Sequence, residues 1–372
     1  VPYDVANAEH LAMSDSVGMI NLSHFPIMDI KGPDAERMLE YLSVAKVGGT
    51  TPEGKVIYTN FLDEDGGVHA DLTISRLGAD SYRVVTGGAD GNRDWVTLRN
   101  YRDDNGLDAD INIRTHDIAT IGLWGPKAVN ALGNFIDPNE IDISNFPFVS
   151  AKNLSLSLSG GKKVDVWAAR ISYVGESGWE IYFNNNKDDG LALYDSLLEV
   201  GVVPVGIETY ANSRRLEKSF RLQGADLETD YTAIEAAIQR PLVKEADFHG
   251  KAAHLAQREE DPCAILCTMT LDDLNVSGNT RYPVGISPII DPTSGEVPID
   301  SKGRRSYTTG MSYCPSLKKF VVMGYLPKEI AVQGKSLLIE YFDEGGDGLY
   351  PMTVQIVGKG SLYDPKNERV RS

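Results

Sequence analysis

Asp71 is the residue of this sequence best placed for acid–base chemistry. It lies in KVIYTNFLDEDGGVHADLTISR, residues 55–76, which reads as two strands joined by an acidic turn. The turn closes on Gly66 and Gly67, and glycine supplies the positive φ that a tight turn needs. Side chains alternate across a strand. Val68, Ala70, Leu72 and Ile74 therefore share a packing face, and His69, Asp71, Thr73 and Ser75 share the other. That second face offers a carboxylate beside Tyr58 and Thr73, and a positioned carboxylate can hold a proton and stabilise developing positive charge. A second acidic stretch, YVGESGWEI at 173–181, carries Glu176 and Glu180. On pattern alone a solvated strand aspartate is the stronger reading of Asp71, and a turn cap and a surface strand position are the plain readings of the two glutamates.

Other chemistries leave weaker traces. TGGADGN at 86–92 has the wrong glycine spacing for a dinucleotide-binding turn, and the sequence has no P-loop. The six histidines, His10, His24, His69, His116, His249 and His254, are scattered. His249 and His254 miss the i, i+4 spacing that sets two ligands on one helical face, so no metal site is expected. No G-x-S-x-G elbow supports a hydrolase.

The elements that must position Asp71 follow from periodicity. Helical and strand patterns alternate without a regular βαβ rhythm, and the last third, from about Cys263, is mostly strand. Residues 25–39 (FPIMDIKGPDAERML) and 118–132 (IATIGLWGPKAVNAL) repeat one unit: a strand, a Gly-Pro turn and an amphipathic helix. Ala35, Met38, Leu39 and Leu42 form one apolar stripe of the first helix. Helical spacing recurs at 94–99, 191–200 and 208–220, the last carrying Arg214, Arg215 and Lys218 and running on to Arg221. Residues 307–327 read as two strands around a proline-containing turn, and LYDP at 362–365 sits in the C-terminal tail.

At 372 residues the chain exceeds one ordinary hydrophobic core, so two or three domains are expected. A net charge of −17 opposes nucleic acid and anionic membranes, which need a cationic face, and leaves a small ligand as the partner. Cys263, Cys267 and Cys314 form no CxxC pair, which suits a reducing compartment. No apolar run approaches the roughly 18 residues of a membrane span, and the first thirty residues lack a basic-then-apolar leader. A cytoplasmic protein is expected. The sequence begins at Val1, as a processed chain or a piece of a longer one would.

Six segments stand in a familiar order: AEHLAMSDSVGMINLSHF, the Gly-Pro helices, GGVHADLTISR, ISYVGESGWEIY, SRRLEKSFRLQGADL and YCPSLKKFVVMGYLP. Through them the sequence resembles the aminomethyltransferase (glycine cleavage T-protein) family over nearly its full length. YVGESGWE and LYDP look more like its dimethylglycine and sarcosine dehydrogenase branch. The resemblance implies an α+β, three-domain cloverleaf with two α+β parts and a C-terminal β-rich, barrel-like domain around a central folate channel. Its expected divisions are 1–46 with 149–255, then 47–148 carrying Asp71, then 256–372.

The resemblance also implies tetrahydrofolate as cofactor. Asp71 matches the catalytic aspartate, and Glu180 the carboxylate that pairs with the pterin. Tyr58, Thr73, Gly87 and Tyr173 match pocket-lining positions, and Glu176 and Arg215 join the expected cofactor-binding set. Arg214, Arg215, Lys218, Arg221, Lys318 and Lys319 are candidate cations for the anionic folate tail, although a solvated helix face explains the first four equally well. Tyr210, Ala211 and Asn212 stand where T-proteins place an arginine.

The implied activity is one-carbon transfer to tetrahydrofolate from a methylated amine such as a glycine derivative. Transfer at the formaldehyde level requires an oxidising domain, fused or separate. A redox-neutral transfer from a sulfonium or quaternary ammonium donor needs none and suits a sequence without a flavin motif. Two further readings are a folate domain that only captures formaldehyde, and a non-catalytic assembly factor, whose Lys-Gly-Cys motif this sequence does not contain.

Overall fold

The two Gly-Pro units fold as the same local device. Strand Ile27–Lys31 leads into helix Ala35–Leu42, and strand Ile118–Trp124 into helix Ala128–Leu132. Gly32 and Gly125 turn the chain at φ 143° and 141°. A Cβ would lie 2.5 Å from the Asp108 carbonyl oxygen at Gly32, and 2.3 Å from that of Ser16 at Gly125. Both turns therefore require glycine. The stripe of Ala35, Met38, Leu39 and Leu42 is buried as its spacing dictates.

In the computed structural model, residues 3–271, 285–343 and 346–372 are described. They build three sheets. The first runs in the order Val203–Pro204, Gly18–Asn21, Ile118–Trp124, Gly178–Asn184, Lys163–Ala169, Ala151–Ser157. The second runs Val56–Leu62, Val68–Gly78, Ser81–Thr86, Ile27–Lys31, Asp110–Ile113 and is antiparallel throughout. The third, all from the last third of the chain, runs Ile289–Ile290, Ser336–Asp343, Gly346–Val357, Ala264–Leu271, Lys319–Pro327, Thr308–Cys314.

Strand membership departs from the expected divisions at 46/47 and 148/149. Met28, Ile30, Met38 and Leu39 share a core with Ile57, Leu72 and Val84 of the second sheet, whereas the Ile118–Trp124 strand pairs with both Gly18–Asn21 and Gly178–Asn184 in the first. The two repeat units thus belong to different sheets. The chain changes sheet between Asn21 and Ile27 and again between Ile113 and Ile118.

Glu208–Arg214 winds as a π-helix before one α-helical turn at Arg215–Glu217, a rare form that recurs at functional sites. Its cations are no solvated face: Arg214, Arg215 and Lys218 are all buried. Arg214 lies 2.5 Å from both Glu176 and Glu217, Arg215 pairs with Asp226, and Lys218 Nζ donates to the carbonyls of Tyr363 (3.1 Å) and Asp364 (2.8 Å). Among the described residues no helix is long and apolar enough to cross a membrane, no acidic, histidine or cysteine cluster could hold a metal, and all three cysteines are free.

Candidate functional site

A cavity of about 700 Å³ lies where the first and second sheets, the π-helix, the 220–223 segment and the C-terminal tail meet. This is the size of a small-molecule site, of the order of 300–1,000 Å³. The hairpin supplies one wall. Tyr58 faces Thr73 and Asn60 faces Asp71 across the ladder, so all four side chains stand on the polar side. Asn60 Nδ2 donates to Asp71 Oδ1 at 2.7 Å, and Tyr58 and Asn60 both favour the charged form of this carboxyl. Burial outweighs both and pushes the Asp71 carboxyl up to about 7, with the neighbouring charges of Asp90 and Asp94 adding to it. Tyr58 keeps 43% of its surface free where it borders the cavity.

Glu180 comes from the centre of the first sheet. Its cross-strand partners are Gly122 and Ala169, whose small side chains leave its own room. It is 6% exposed, and the Tyr182 hydroxyl donates to its Oε2. No described residue donates to Oε1. Burial pushes this carboxyl to about 7 as well, against the lowering effect of the Tyr182 bond.

A stability consequence follows. Between roughly pH 4.5 and 7 the folded chain keeps a proton on Glu180 that the unfolded chain releases, so this group's contribution to stability is present at low pH and is lost as pH rises through about 7. Glu180→Gln removes that loss. The variant should unfold at higher urea than wild type at pH 8 but not at pH 5, by up to about 3 kcal/mol at about 1.4 kcal/mol per pH unit.

Aromatic rings complete the walls. Tyr173 stacks on Phe220 with centroids 6.0 Å apart and tilts against Tyr210 at 5.3 Å, and Phe25 meets Tyr210 at 6.2 Å. The Tyr173 hydroxyl donates to the Arg221 carbonyl at 2.7 Å.

Six of the expected residues, Asp71, Tyr58, Thr73, Gly87, Tyr173 and Glu180, line this one cavity. Glu176 and Arg215 do not. Glu176 is 1% exposed and accepts from Arg214 at 2.5 Å, Arg369 at 2.9 Å and the Tyr363 hydroxyl at 3.0 Å. Arg215 pairs with Asp226 and donates to the Ala211 carbonyl at 2.8 Å. Their charges are satisfied inside the protein, and they brace the wall from behind. Of the candidate tail cations only Arg221 borders the cavity; Lys318 sits exposed on a turn and Lys319 exposed at the start of the strand that follows.

Sequence reasoning did not single out His24, Phe25, Asp90, Phe220 or Arg371, which also line the cavity. Tyr210 was visible only as a departure from an expected arginine. Apart from Gly87, TGGADGN was read as a failed nucleotide loop, although a glycine pair followed by an acid after a strand was the available signal.

The family model described as GCVT N-terminal domain matches residues 2–245. Dimethylglycine dehydrogenase of Rattus norvegicus is 29% identical over 360 residues, which are 93% of this chain and 38% of that protein. The chain therefore spans less than two-fifths of the length of that relative. Aminomethyltransferase of Corynebacterium aurimucosum is 30% identical over 304 residues, covering 79% of this chain and 78% of that one. Glycine cleavage system aminomethyltransferase T from Bartonella henselae has the same fold, with a TM-score of 0.76 at 22% identity over 94% of this chain and 88% of its own.

Proposed function

The chain belongs to the glycine cleavage T-protein (GCVT) family, and from that premise we propose that it is a tetrahydrofolate-dependent one-carbon transferase acting in demethylation of a methylated amine such as a glycine derivative. One observation carries this reading: the partly buried Asp71 and the buried Glu180, each carboxyl brought to about 7 by desolvation, open on one aromatic-walled cavity.

The residues present fit tetrahydrofolate. A pterin edge offers several N–H donors in a row, and Glu180 has an acceptor oxygen that no described residue engages. Tyr173, Phe220 and Tyr210 offer flat surfaces for a ring system, and Arg221 and Arg371 are the cations at the cavity for an anionic tail. When bound, tetrahydrofolate supplies the amine nitrogen that accepts the carbon unit. Glu180 and its Tyr182 brace fix orientation. Asp71, held by Asn60, keeps its proton exchangeable near neutral pH, which suits a group that must hold or release a proton and favour positive charge beside it.

A cytoplasmic, reducing setting belongs to this reading, supported by three free cysteines. So does an oxidising domain or partner wherever transfer runs at the formaldehyde level. Calorimetric titration with tetrahydrofolate tests the proposal. The wild type should bind, and Glu180→Ala should weaken binding by about 1–3 kcal/mol, because buried donors lose their acceptor. Absence of binding to the wild type would remove the one-carbon assignment.

A further inference from the structure

Asp90 is a cavity carboxylate for which the folate reading has no use. It closes the turn after strand Ser81–Thr86, its N–H donating to the Gly87 carbonyl at 2.9 Å. Thr86 pairs with Leu72, so this turn begins beside Asp71. The glycines of TGGADGN explain how closely it packs. A Cβ at Gly87 would stand 2.5 Å from Asp90 Oδ2, and one at Gly88 would stand 2.7 Å from the His24 ring and 3.7 Å from the Phe25 ring. Both glycines thus let the carboxylate and the His24–Phe25 pair close on one stretch of backbone. Those two rings meet edge to face with centroids 4.8 Å apart.

The charge at this end of the cavity is unbalanced. The Asp90 side chain is 13% exposed and accepts no hydrogen bond from a described residue. Its nearest cation is Arg93, whose Nη2 lies 3.3 Å from Oδ1. That guanidinium donates to Asp94 from Nε at 3.0 Å, and its Nη2 also lies 3.0 Å from the same carboxylate without hydrogen-bonding either acid. Two carboxyls, Asp90 and Asp94, therefore share one arginine, and Asp71 is a third acid, lining the same cavity as Asp90. Burial raises the Asp90 carboxyl above its ordinary range, with Arg93 opposing and Asp94 adding to the shift, as expected of an acid that a further cation would stabilise.

Resting on the one-carbon reading, we propose that Asp90 and the Phe25 ring form the subsite for the positively charged head of the donor, an alkylated ammonium or sulfonium. Such a head has few or no N–H groups, so charge and an aromatic face recognise it rather than hydrogen-bond geometry. A carboxylate without hydrogen-bond partners beside a ring fits that chemistry. Neither the pterin, whose donors Glu180 takes, nor an anionic tail suits this end. Asp90 is thus a specificity residue that sets the charge class of donor delivered next to Asp71.

The test is calorimetric titration of the full chain with trimethylglycine, with dimethylsulfonioacetate, and with 3,3-dimethylbutanoate, the isostere whose head is uncharged because carbon replaces the onium nitrogen. The wild type should bind at least one onium and bind the isostere at least tenfold more weakly. Asp90→Asn should lose at least tenfold in onium affinity, and Phe25→Leu should lose affinity for the onium more than for the isostere. Circular dichroism and melting of both variants establish that they are folded. Binding of neither onium, equal binding of onium and isostere, or unchanged onium affinity in folded Asp90→Asn would overturn the proposal. Which onium binds better identifies the donor's heteroatom, and either preference supports the subsite. Tetrahydrofolate titration of the wild type, run separately, tests the parent reading, so the two can fail independently.

Discussion

Asp71→Asn should bind tetrahydrofolate within a few-fold of wild type and lose about 10²–10⁴-fold in turnover, the range supplied by a positioned acid or base. Asparagine is nearly isosteric, and its carbonyl can still accept from Asn60 Nδ2, which now donates to Asp71 Oδ1 at 2.7 Å. The exchangeable proton and the negative charge of the ionised form are lost. A second signature follows from the position of that proton. The Asp71 carboxyl titrates at about 7 because the cavity desolvates it, so the wild-type single-turnover rate should change through about pH 7. The residual rate of the variant should be flat across the same interval. A role limited to holding the wall would instead weaken folate binding and leave the pH profile in place. Turnover near the wild-type rate would remove Asp71 from the chemistry.

This prediction was accessible from sequence because Asp71, Tyr58 and Thr73 belong to one hairpin. Strand alternation separates Val68, Ala70, Leu72 and Ile74, which are all buried, from the side carrying Asp71, and ladder register then sets Tyr58 opposite Thr73. Such local relations need only the period of a strand. Glu180 and Tyr173 were reached by resemblance, since nothing local says that a glutamate flanked by Trp179 and Ile181 should face a cavity. The remaining walls are non-local. Phe25 precedes a strand, Tyr210 lies in a π-helix, Phe220 follows it, and Arg371 belongs to a tail drawn in by Lys218, whose Nζ donates to Asn367 Oδ1 at 2.9 Å. The domain divisions were obscured for a related reason. The Gly-Pro units look alike locally, but each pairs with a different sheet, and strand pairing is a property of the whole chain.

Arg214, Arg215 and Lys218 gave the largest misreading, since a charged helix face is ordinarily solvated, and these three are buried against partners distant in sequence. Their burial leads to a second large effect. Arg215→Met should destabilise the protein by about 3–5 kcal/mol, the cost of leaving a buried carboxylate without its cation. Asp226 is fully buried. It accepts from Arg215, from the Leu222 N–H at 2.9 Å and from the Thr309 hydroxyl. Two neutral donors cannot replace a guanidinium for a charge so far from water. Adding Asp226→Asn should therefore restore most of the loss, because the amide oxygen still accepts from Leu222 and no bare charge remains. Urea unfolding at pH 7.5 measures both variants, and a loss below about 1 kcal/mol for Arg215→Met, or no recovery in the double variant, would contradict the pairing. The same pair bears on the site. Arg215 Nη1 donates to the Phe220 carbonyl at 3.1 Å, and Asp226 holds the Leu222 N–H, so together they fix the two ends of the segment whose Phe220, Arg221 and Leu222 line the cavity. In the double variant, stability should recover further than tetrahydrofolate affinity does, since asparagine cancels the stranded charge but does not rebuild the bond from Arg215 to Phe220.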